Sequence, residues 1–83
     1  MTELTFYGRE DCPLCEEMLA ELGPWASARG LSILIRDVDD SPDAKRRYGL
    51  KVPVVEVDGL CACSGRLDLA ELERLFRPVA TGR

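Results

Sequence analysis

Two cysteines spaced as Cys12-Pro13-Leu14-Cys15 carry the most informative chemistry in this chain of 83 residues. They lie where a short apolar segment at residues 4–7 gives way to a helical pattern over about residues 14–29. A C-x-x-C between a strand and a helix is typical of a redox dithiol. Free N–H groups and the helix dipole would favour a thiolate at the first cysteine. The second cysteine, one turn further on, would face the same way and could form a disulfide with it.

The same cysteines permit two other interpretations. A second pair, Cys61 and Cys63, could complete a set of four thiolates for zinc. Zinc knuckles lie in short hairpins, however, whereas Glu16 follows Cys15 here and the helical pattern continues for about four turns. Inert buried cysteines are the third interpretation. The spacing favours the redox dithiol, and we expect no bound metal.

The segments around the dithiol alternate between strand and helix. Apolar runs predict strands at residues 4–7, 31–35, 53–57 and 60–63, and periodic patterns predict helices at 14–29 and 42–48 and from Asp68 onwards. Gly23-Pro24 predicts an interruption of the first helix. The near-continuous apolar run at 31–35 is typical of a parallel strand covered on both faces. The order is therefore β-α-β-α-β-β-α, in one domain over residues 1–77 with a frayed tail at 78–83.

Cys61 and Cys63 fall on the returning strand of a predicted hairpin. A two-residue turn at Asp58-Gly59 would pair Val54 with Cys63 and place both thiols on one face of the sheet. Side chains two residues apart in a strand are separated by about 6.6 Å, which is too far for a relaxed disulfide. Two small buried hydrophobes are the simpler interpretation. The alternative is that Cys63 is an auxiliary thiol that exchanges with the Cys12–Cys15 pair.

Composition excludes several classes of function. The net charge is −4 and no basic stripe is present, which argues against nucleic acid as a partner. No apolar run approaches the roughly 20 residues that span a bilayer, and the first residues lack the pattern of a signal peptide. We therefore expect a cytoplasmic protein without a membrane partner, in which cysteines are kept reduced. Histidine is absent, so proton transfer must use thiols, carboxylates or water.

With its C-P-x-C at the first strand–helix junction and Val52-Pro53 opening the third strand, the chain resembles the thioredoxin fold in its minimal, glutaredoxin-like form. It is most similar to small bacterial glutaredoxin-like proteins, which share the "GREDCPLCEEM" opening and the "YGLKVPVV" stretch. The resemblance covers about residues 3–76. It implies an α/β fold with a four-stranded mixed sheet flanked by helices on both faces.

This resemblance also implies a function, that of a thiol–disulfide oxidoreductase. Cys12 would attack a substrate disulfide and Cys15 would resolve the mixed disulfide. Pro53 would be cis and would leave the backbone of Val52 free to pair with the substrate, beside Pro13 and Leu14. The expected partner is a disulfide-containing protein or a glutathione-linked substrate, bound by a monomer that holds no cofactor. The alternative is a thioredoxin-fold carrier module whose dithiol binds a metal or an iron–sulfur cluster, or is vestigial.

Glutathione is a possible reductant, and the residues that would bind it match glutaredoxins only in part. Arg9 stands in the place of a lysine that helps hold the thiolate and a glutathione carboxylate. Gly65 and Asp68 partly match a Gly-Gly-x-Asp-Asp segment that binds the other end of glutathione, but Ser64 and Leu67 depart from it. Four carboxylates lie close to the dithiol in sequence and would repel the anionic tripeptide: Glu10, Asp11, Glu16 and Glu17. The choice between glutathione and a dedicated reductase stays open.

Overall fold

The computed structural model describes residues 3–76, which form four strands and three helices. The elements are β1 (Glu3–Gly8), α1 (Pro13–Ala28), β2 (Ser32–Asp37), α2 (Pro42–Tyr48), β3 (Val54–Val57), β4 (Leu60–Ser64) and α3 (Leu69–Phe76). A 3₁₀ turn, Val38–Asp40, connects β2 to α2. The predicted order β-α-β-α-β-β-α is confirmed. The predicted frayed tail at 78–83 lies outside the described residues.

The sheet is mixed and has helices on both faces, as predicted. Its strand order is β2-β1-β3-β4, with β1 and β2 parallel and the other neighbours antiparallel. Phe6 and Val55 pack with Met18 of α1 and Leu72 of α3 in the larger core. A smaller core unites Val54, Val38 and residues of α2. Because the inward residues of each strand alternate between the two cores, the sheet is the middle of three layers.

Helix α1 runs without interruption from Pro13 to Ala28 and contains Pro24 within it. Gly23-Pro24 therefore does not divide α1 into two helical segments. Proline removes one helical hydrogen bond, but Leu22 and Trp25 on either side of it are buried in the larger core. Burial of the apolar stripe offsets that lost bond. The helix ends before Gly30, whose φ of +68° lies in the left-handed region that favours glycine.

Strand β2 lies at the edge of the sheet, where it pairs only with β1. The prediction that this apolar run is covered on both faces is wrong, because Ile35 is 60 % exposed and Leu34 is 37 % exposed. An edge strand lies away from the middle of the sheet, over which helices pack, and the position of a strand in the sheet is set by the global topology. The apolar sequence of β2 therefore leaves an exposed apolar edge.

The hairpin between β3 and β4 has the predicted two-residue turn. Asp58 and Gly59 both adopt positive φ values, +51° and +83°, as a type I′ turn requires. Beyond the turn the pairing is irregular between Val55 and Glu56. The extra residue, Ala62, forms a β-bulge in β4.

The bulge changes where the second pair of cysteines points. Cys61 pairs with Glu56, whereas Cys63 pairs with Val55, so the predicted pairing of Val54 with Cys63 is wrong. Neighbouring residues of β3 point to opposite faces, and their partners follow them. Cys61 is exposed, and Cys63 is buried in the larger core. The two thiols therefore do not share a face.

Candidate active site

Cys12 occupies the N-cap of α1, with Pro13 directly after it at the start of the helix. Its extended backbone, φ −118° and ψ 100°, turns the side chain back over the first turn. The Sγ atom of Cys12 accepts a hydrogen bond from the backbone N–H of Cys15 at 3.2 Å. Hydrogen bonds of this kind strengthen when the acceptor is ionised, and the positive end of the helix dipole adds to them. The sulfur is therefore held at the helix N-terminus by a backbone donor.

Cys15 lies one turn further on and is only 5 % exposed. It packs beside Gly8 at the end of β1. Burial raises the pKa of the Cys15 thiol to about 11, and the neighbouring Cys12 acts in the same direction. Arg9 opposes these effects and lowers the pKa of Cys15 in smaller part. The pair thus combines a partly exposed sulfur with a buried thiol that stays protonated at neutral pH.

The segment that opens β3 contains two of the predicted substrate-binding residues, Val52 and Pro53. The peptide bond between Val52 and Pro53 is cis. The carbonyl oxygen of Pro53 accepts a hydrogen bond from the N–H of Gly65 at 2.7 Å, and this bond connects the loop after β4 to the start of β3. Val52 and Cys12 are both partly buried against the larger core.

Two grooves beside the N-terminal part of α1 contain three of the predicted substrate-binding residues, Arg9, Leu14 and Gly65. The first has a volume of about 360 Å³ and is lined by Arg9 and Cys15, with Leu19 and Ile35 among its apolar walls. The second, of about 540 Å³, contains Leu14 and Gly65. Leu14, between the two cysteines, is 54 % exposed.

Asp68 serves as the N-cap of α3, because its carboxylate accepts a hydrogen bond from the N–H of Glu71 at 3.0 Å. The sequence predicted that a helix begins at Asp68 and that this residue contacts the substrate. One carboxylate oxygen is therefore already engaged, while the residue also lines a groove beside Cys63.

Arg9 is held by an acidic partner from another part of the chain. Its Nε and Nη2 atoms donate to the two carboxylate oxygens of Asp39 at 2.8 and 3.0 Å. Its Nη1 atom donates to the carbonyl oxygen of Gly49 at 3.0 Å. This pairing raises the pKa of Arg9 and lowers the pKa of Asp39. The predicted role of Arg9 in binding a glutathione carboxylate would thus compete with Asp39.

Comparison with known proteins identifies the family of the chain. Residues 3–77 match the family model of the glutaredoxin-like domain, DUF836. The chain belongs to this family. The predicted resemblance is therefore confirmed for a glutaredoxin-like domain that spans nearly all of the chain.

Solved structures with the same fold include close and distant relatives of this glutaredoxin-like domain. Protein Ne2328 from Nitrosomonas europaea is 31 % identical over 88 % of each chain, with a TM-score of 0.78. A structural genomics target from X. campestris is 29 % identical over 87 % of this chain and 92 % of that one, with a TM-score of 0.62. Thioredoxin 1 from Thermosipho africanus is 17 % identical over 88 % and 92 % of the two chains, with a TM-score of 0.62, and shares the fold. No curated protein matches the sequence.

The second pair of cysteines of the glutaredoxin-like domain stands apart from the first. Burial raises the pKa of Cys63, which is 8 % exposed. Cys61 lies on the other face of the sheet, so four cysteine sulfurs do not converge on one point. Among residues 3–76, no group of three or more Cys, Asp or Glu side chains is arranged to hold a metal ion. The auxiliary role of Cys63 stays a prediction.

Two residues at the site were missed by the sequence reasoning, Gly8 and Asp39. The parallel register of β1 and β2 places Gly8 opposite Asp37, so the residues that follow the two strands meet at one edge of the sheet. That register could have brought Arg9 and Asp39 together, had the strand order been known.

Over the described part of the chain, no helix is long and apolar enough to cross a membrane.

Proposed function

We propose that this glutaredoxin-like domain is a thiol–disulfide oxidoreductase in which Cys12 is the nucleophile and Cys15 is the resolving thiol. The observation that carries the proposal is the hydrogen bond from the Cys15 N–H to the Cys12 sulfur at the N-cap of α1. The exposure of the two cysteines supports the assignment of roles. An incoming disulfide can reach Cys12, whereas Cys15 is buried behind it.

The reaction consists of two thiol–disulfide exchanges. The Cys12 thiolate attacks one sulfur of the substrate disulfide, so that a bond from Cys12 to the substrate forms and the other substrate sulfur leaves as a thiolate. Cys15 then attacks the sulfur of Cys12 and loses its proton to the departing substrate thiol. The products are a Cys12–Cys15 disulfide and a substrate reduced by two electrons. Glutathione or a reductase would return the pair to its dithiol form.

Residues on both sides of Cys12 would contact the substrate in this proposal. The exposed side chains of Pro13 and Leu14 offer an apolar surface beside the reacting sulfur. The backbone of Val52 would pair with an extended segment of the substrate, as in strand addition. A disulfide-containing protein suits this arrangement.

The test is a redox titration of the purified protein in glutathione buffers, read by thiol alkylation and mass spectrometry. We expect a reversible two-electron transition of Cys12 and Cys15, at a potential between about −270 and −200 mV. Replacing either cysteine by serine should abolish the transition. Cys61→Ser is the matched control, because Cys61 is exposed on the far face of the sheet, and it should leave the potential unchanged.

Single-turnover experiments assign the two roles. Cys15→Ser should accumulate a mixed disulfide at Cys12, whereas Cys12→Ser should form none at the buried Cys15. A Cys12–Cys15 pair that stays reduced at every redox potential of the glutathione buffers would contradict the proposal. So would a mixed disulfide that forms at Cys15 in preference to Cys12.

A further inference from the structure

Arg9 lines the groove that contains Cys15 and is paired with Asp39, which lies outside the groove lining. Both partners are fixed by contacts outside the pair. Asp39 donates its N–H to the carboxylate of Asp37 at 2.9 Å, and Arg9 reaches the carbonyl oxygen of Gly49. The two-fold hydrogen bond between a guanidinium and a carboxylate is the strongest pairing that such groups make. Arg9 is therefore held in place with its charge already matched.

Because Arg9 is paired with Asp39, the other charged residues of the groove determine which ligands the groove attracts. The carboxylates of Glu10, Glu16 and Asp37 line the groove together with Arg9 and Arg36. Arg9 is paired with Asp39, whose carboxylate also lies 4.0 Å from the Nζ atom of Lys45, and Arg36 is then the remaining cation of the groove lining against three carboxylates. An anionic ligand that approaches the dithiol meets a negative potential there, and a cationic ligand meets an attractive one.

We propose that Asp39 is a specificity-determining residue of the dithiol: by holding Arg9, it directs the site towards neutral and cationic disulfides and away from anionic ones such as glutathione disulfide. The inference rests on the proposed oxidoreductase function and names the substrate class of that site. A protein disulfide with lysine or arginine beside its sulfurs is the substrate that this charge pattern fits. Asp39 acts through Arg9, and no contact between Asp39 and the reacting sulfurs is required.

Two small disulfides of opposite charge test the inference on the reduced wild-type protein. Cystamine carries two positive charges, and glutathione disulfide is anionic. The rate at which each disulfide oxidises the Cys12–Cys15 pair is measured by alkylation and mass spectrometry. To correct for the intrinsic reactivity of the two disulfides, each rate is divided by the rate at which the same disulfide reacts with dithiothreitol, a neutral dithiol. The normalised ratio is the corrected cystamine rate divided by the corrected rate of glutathione disulfide. At low ionic strength the normalised ratio should favour cystamine by about tenfold, and it should approach unity in about 1 M salt.

Asp39→Asn should lower this ratio by about fivefold, chiefly because the released Arg9 attracts glutathione disulfide. Addition of Arg9→Gln to Asp39→Asn should remove that gain. Asp43→Asn is the matched control, since Asp43 is an exposed carboxylate that pairs with Arg46 and Arg47 of its own helix. Circular dichroism of each variant shows whether it is folded, so that a changed ratio in folded protein reports specificity and not stability.

Two results would overturn the inference while the proposed function stands. One is a wild-type ratio that favours glutathione disulfide or does not respond to salt. The other is an Asp39→Asn ratio equal to that of Asp43→Asn. If neither disulfide oxidises the Cys12–Cys15 pair, the inference and the proposed function fail together.

Discussion

Gly8 lies against Cys15 so closely that a methyl group at residue 8 would be 3.4 Å from both Cβ and Sγ of Cys15. The same methyl group would be 2.9 Å from the ring of Phe6. Phe6 and Cys15 are both buried in the larger core. The methyl group would therefore collide with the Phe6 ring of its own strand and would lie in van der Waals contact with Cys15 at the start of α1.

Gly8→Ala should consequently destabilise the protein and disturb the resolving thiol. We expect a loss of about 1–3 kcal/mol in the free energy of unfolding, because the buried Phe6 ring must move to make room for a methyl group beside Cys15. Displacement of Cys15 should also slow the second exchange step, so that a mixed disulfide at Cys12 persists longer. Urea unfolding and single-turnover mass spectrometry measure the two effects.

Gly23→Ala is the matched control for this substitution. Gly23 lies inside α1, and a methyl group there would meet nothing within 4 Å. Alanine should stabilise the helix by about 0.5–1 kcal/mol relative to glycine. If Gly8→Ala were as stable as Gly23→Ala, the close packing of Gly8 against Cys15 would be refuted.

The raised pKa of Cys15 predicts a loss of stability in alkaline solution. In the unfolded chain the thiol ionises near pH 8.5–9, whereas in the folded protein its pKa is about 11, chiefly because of burial. The folded state thus binds more protons than the unfolded state between these values. The contribution of Cys15 to stability is fully present below about pH 8.5 and is lost as the pH rises through 11. The loss by pH 11 should be about 2 kcal/mol.

Cys15→Ala isolates this contribution, because Tyr48 and Cys63 also have raised pKa values and weaken the protein in the same direction. Under reducing conditions, the free energy of unfolding is measured by urea at a series of pH values from 8 to 11. The difference between wild type and Cys15→Ala should shift by about 2 kcal/mol across this series. A constant difference would mean that Cys15 is not held as a buried thiol.

The sequence predicted the parts of the fold that depend on short segments, such as helix ends and tight turns. The N-cap at Cys12, the helix stop at Gly30 and the turn at Asp58-Gly59 depend on a few adjacent residues, and all are present. The exposure of Ile35 in β2 could not be predicted, since it depends on which strands lie beside β2. The bulge at Ala62 likewise leaves no local signature, because it follows from packing on the two faces of the sheet.

The site divides in the same way. Cys12 and Cys15 could be placed because the motif, the helix N-terminus and the chemistry depend on one short segment. Arg9 could be placed beside the dithiol, but its partner could not, because Asp39 is thirty residues further along the chain. The sequence shows that an arginine carries a positive charge, but only the three-dimensional contacts show whether a carboxylate is paired with it.

A second cluster, on the α2 face of the sheet, connects α2 to β3 and yields a prediction about stability. The hydroxyl of Tyr48 donates to the carboxylate of Glu56 at 2.6 Å, and Arg47 donates to the same carboxylate at 2.9 Å. Tyr48→Phe should cost about 1–2 kcal/mol, because a hydrogen bond to a charged group is lost from a largely buried site. The dithiol potential should not change.

Tyr7→Phe provides the control for Tyr48→Phe. The centroids of the two rings lie 5.2 Å apart. Within residues 3–76, the Tyr7 hydroxyl has no side-chain hydrogen bond that corresponds to the bond from Tyr48 to Glu56. Its removal should change the free energy of unfolding by less than about 0.5 kcal/mol. Equal effects of the two substitutions in urea unfolding would argue against the Tyr48–Glu56 bond.

The bulge at Ala62 places Cys61 and Cys63 on opposite faces of the sheet, and this arrangement can be tested by the reactivity of the two thiols. Cys61 is exposed, and Cys63 is buried with a raised pKa. In the folded, reduced protein, iodoacetamide should therefore label Cys61 at least about tenfold faster than Cys63, since alkylation requires an accessible thiolate. In urea the two rates should become equal. A regular hairpin would place both thiols on one face with similar protection, so equal labelling of the folded protein would contradict the bulge.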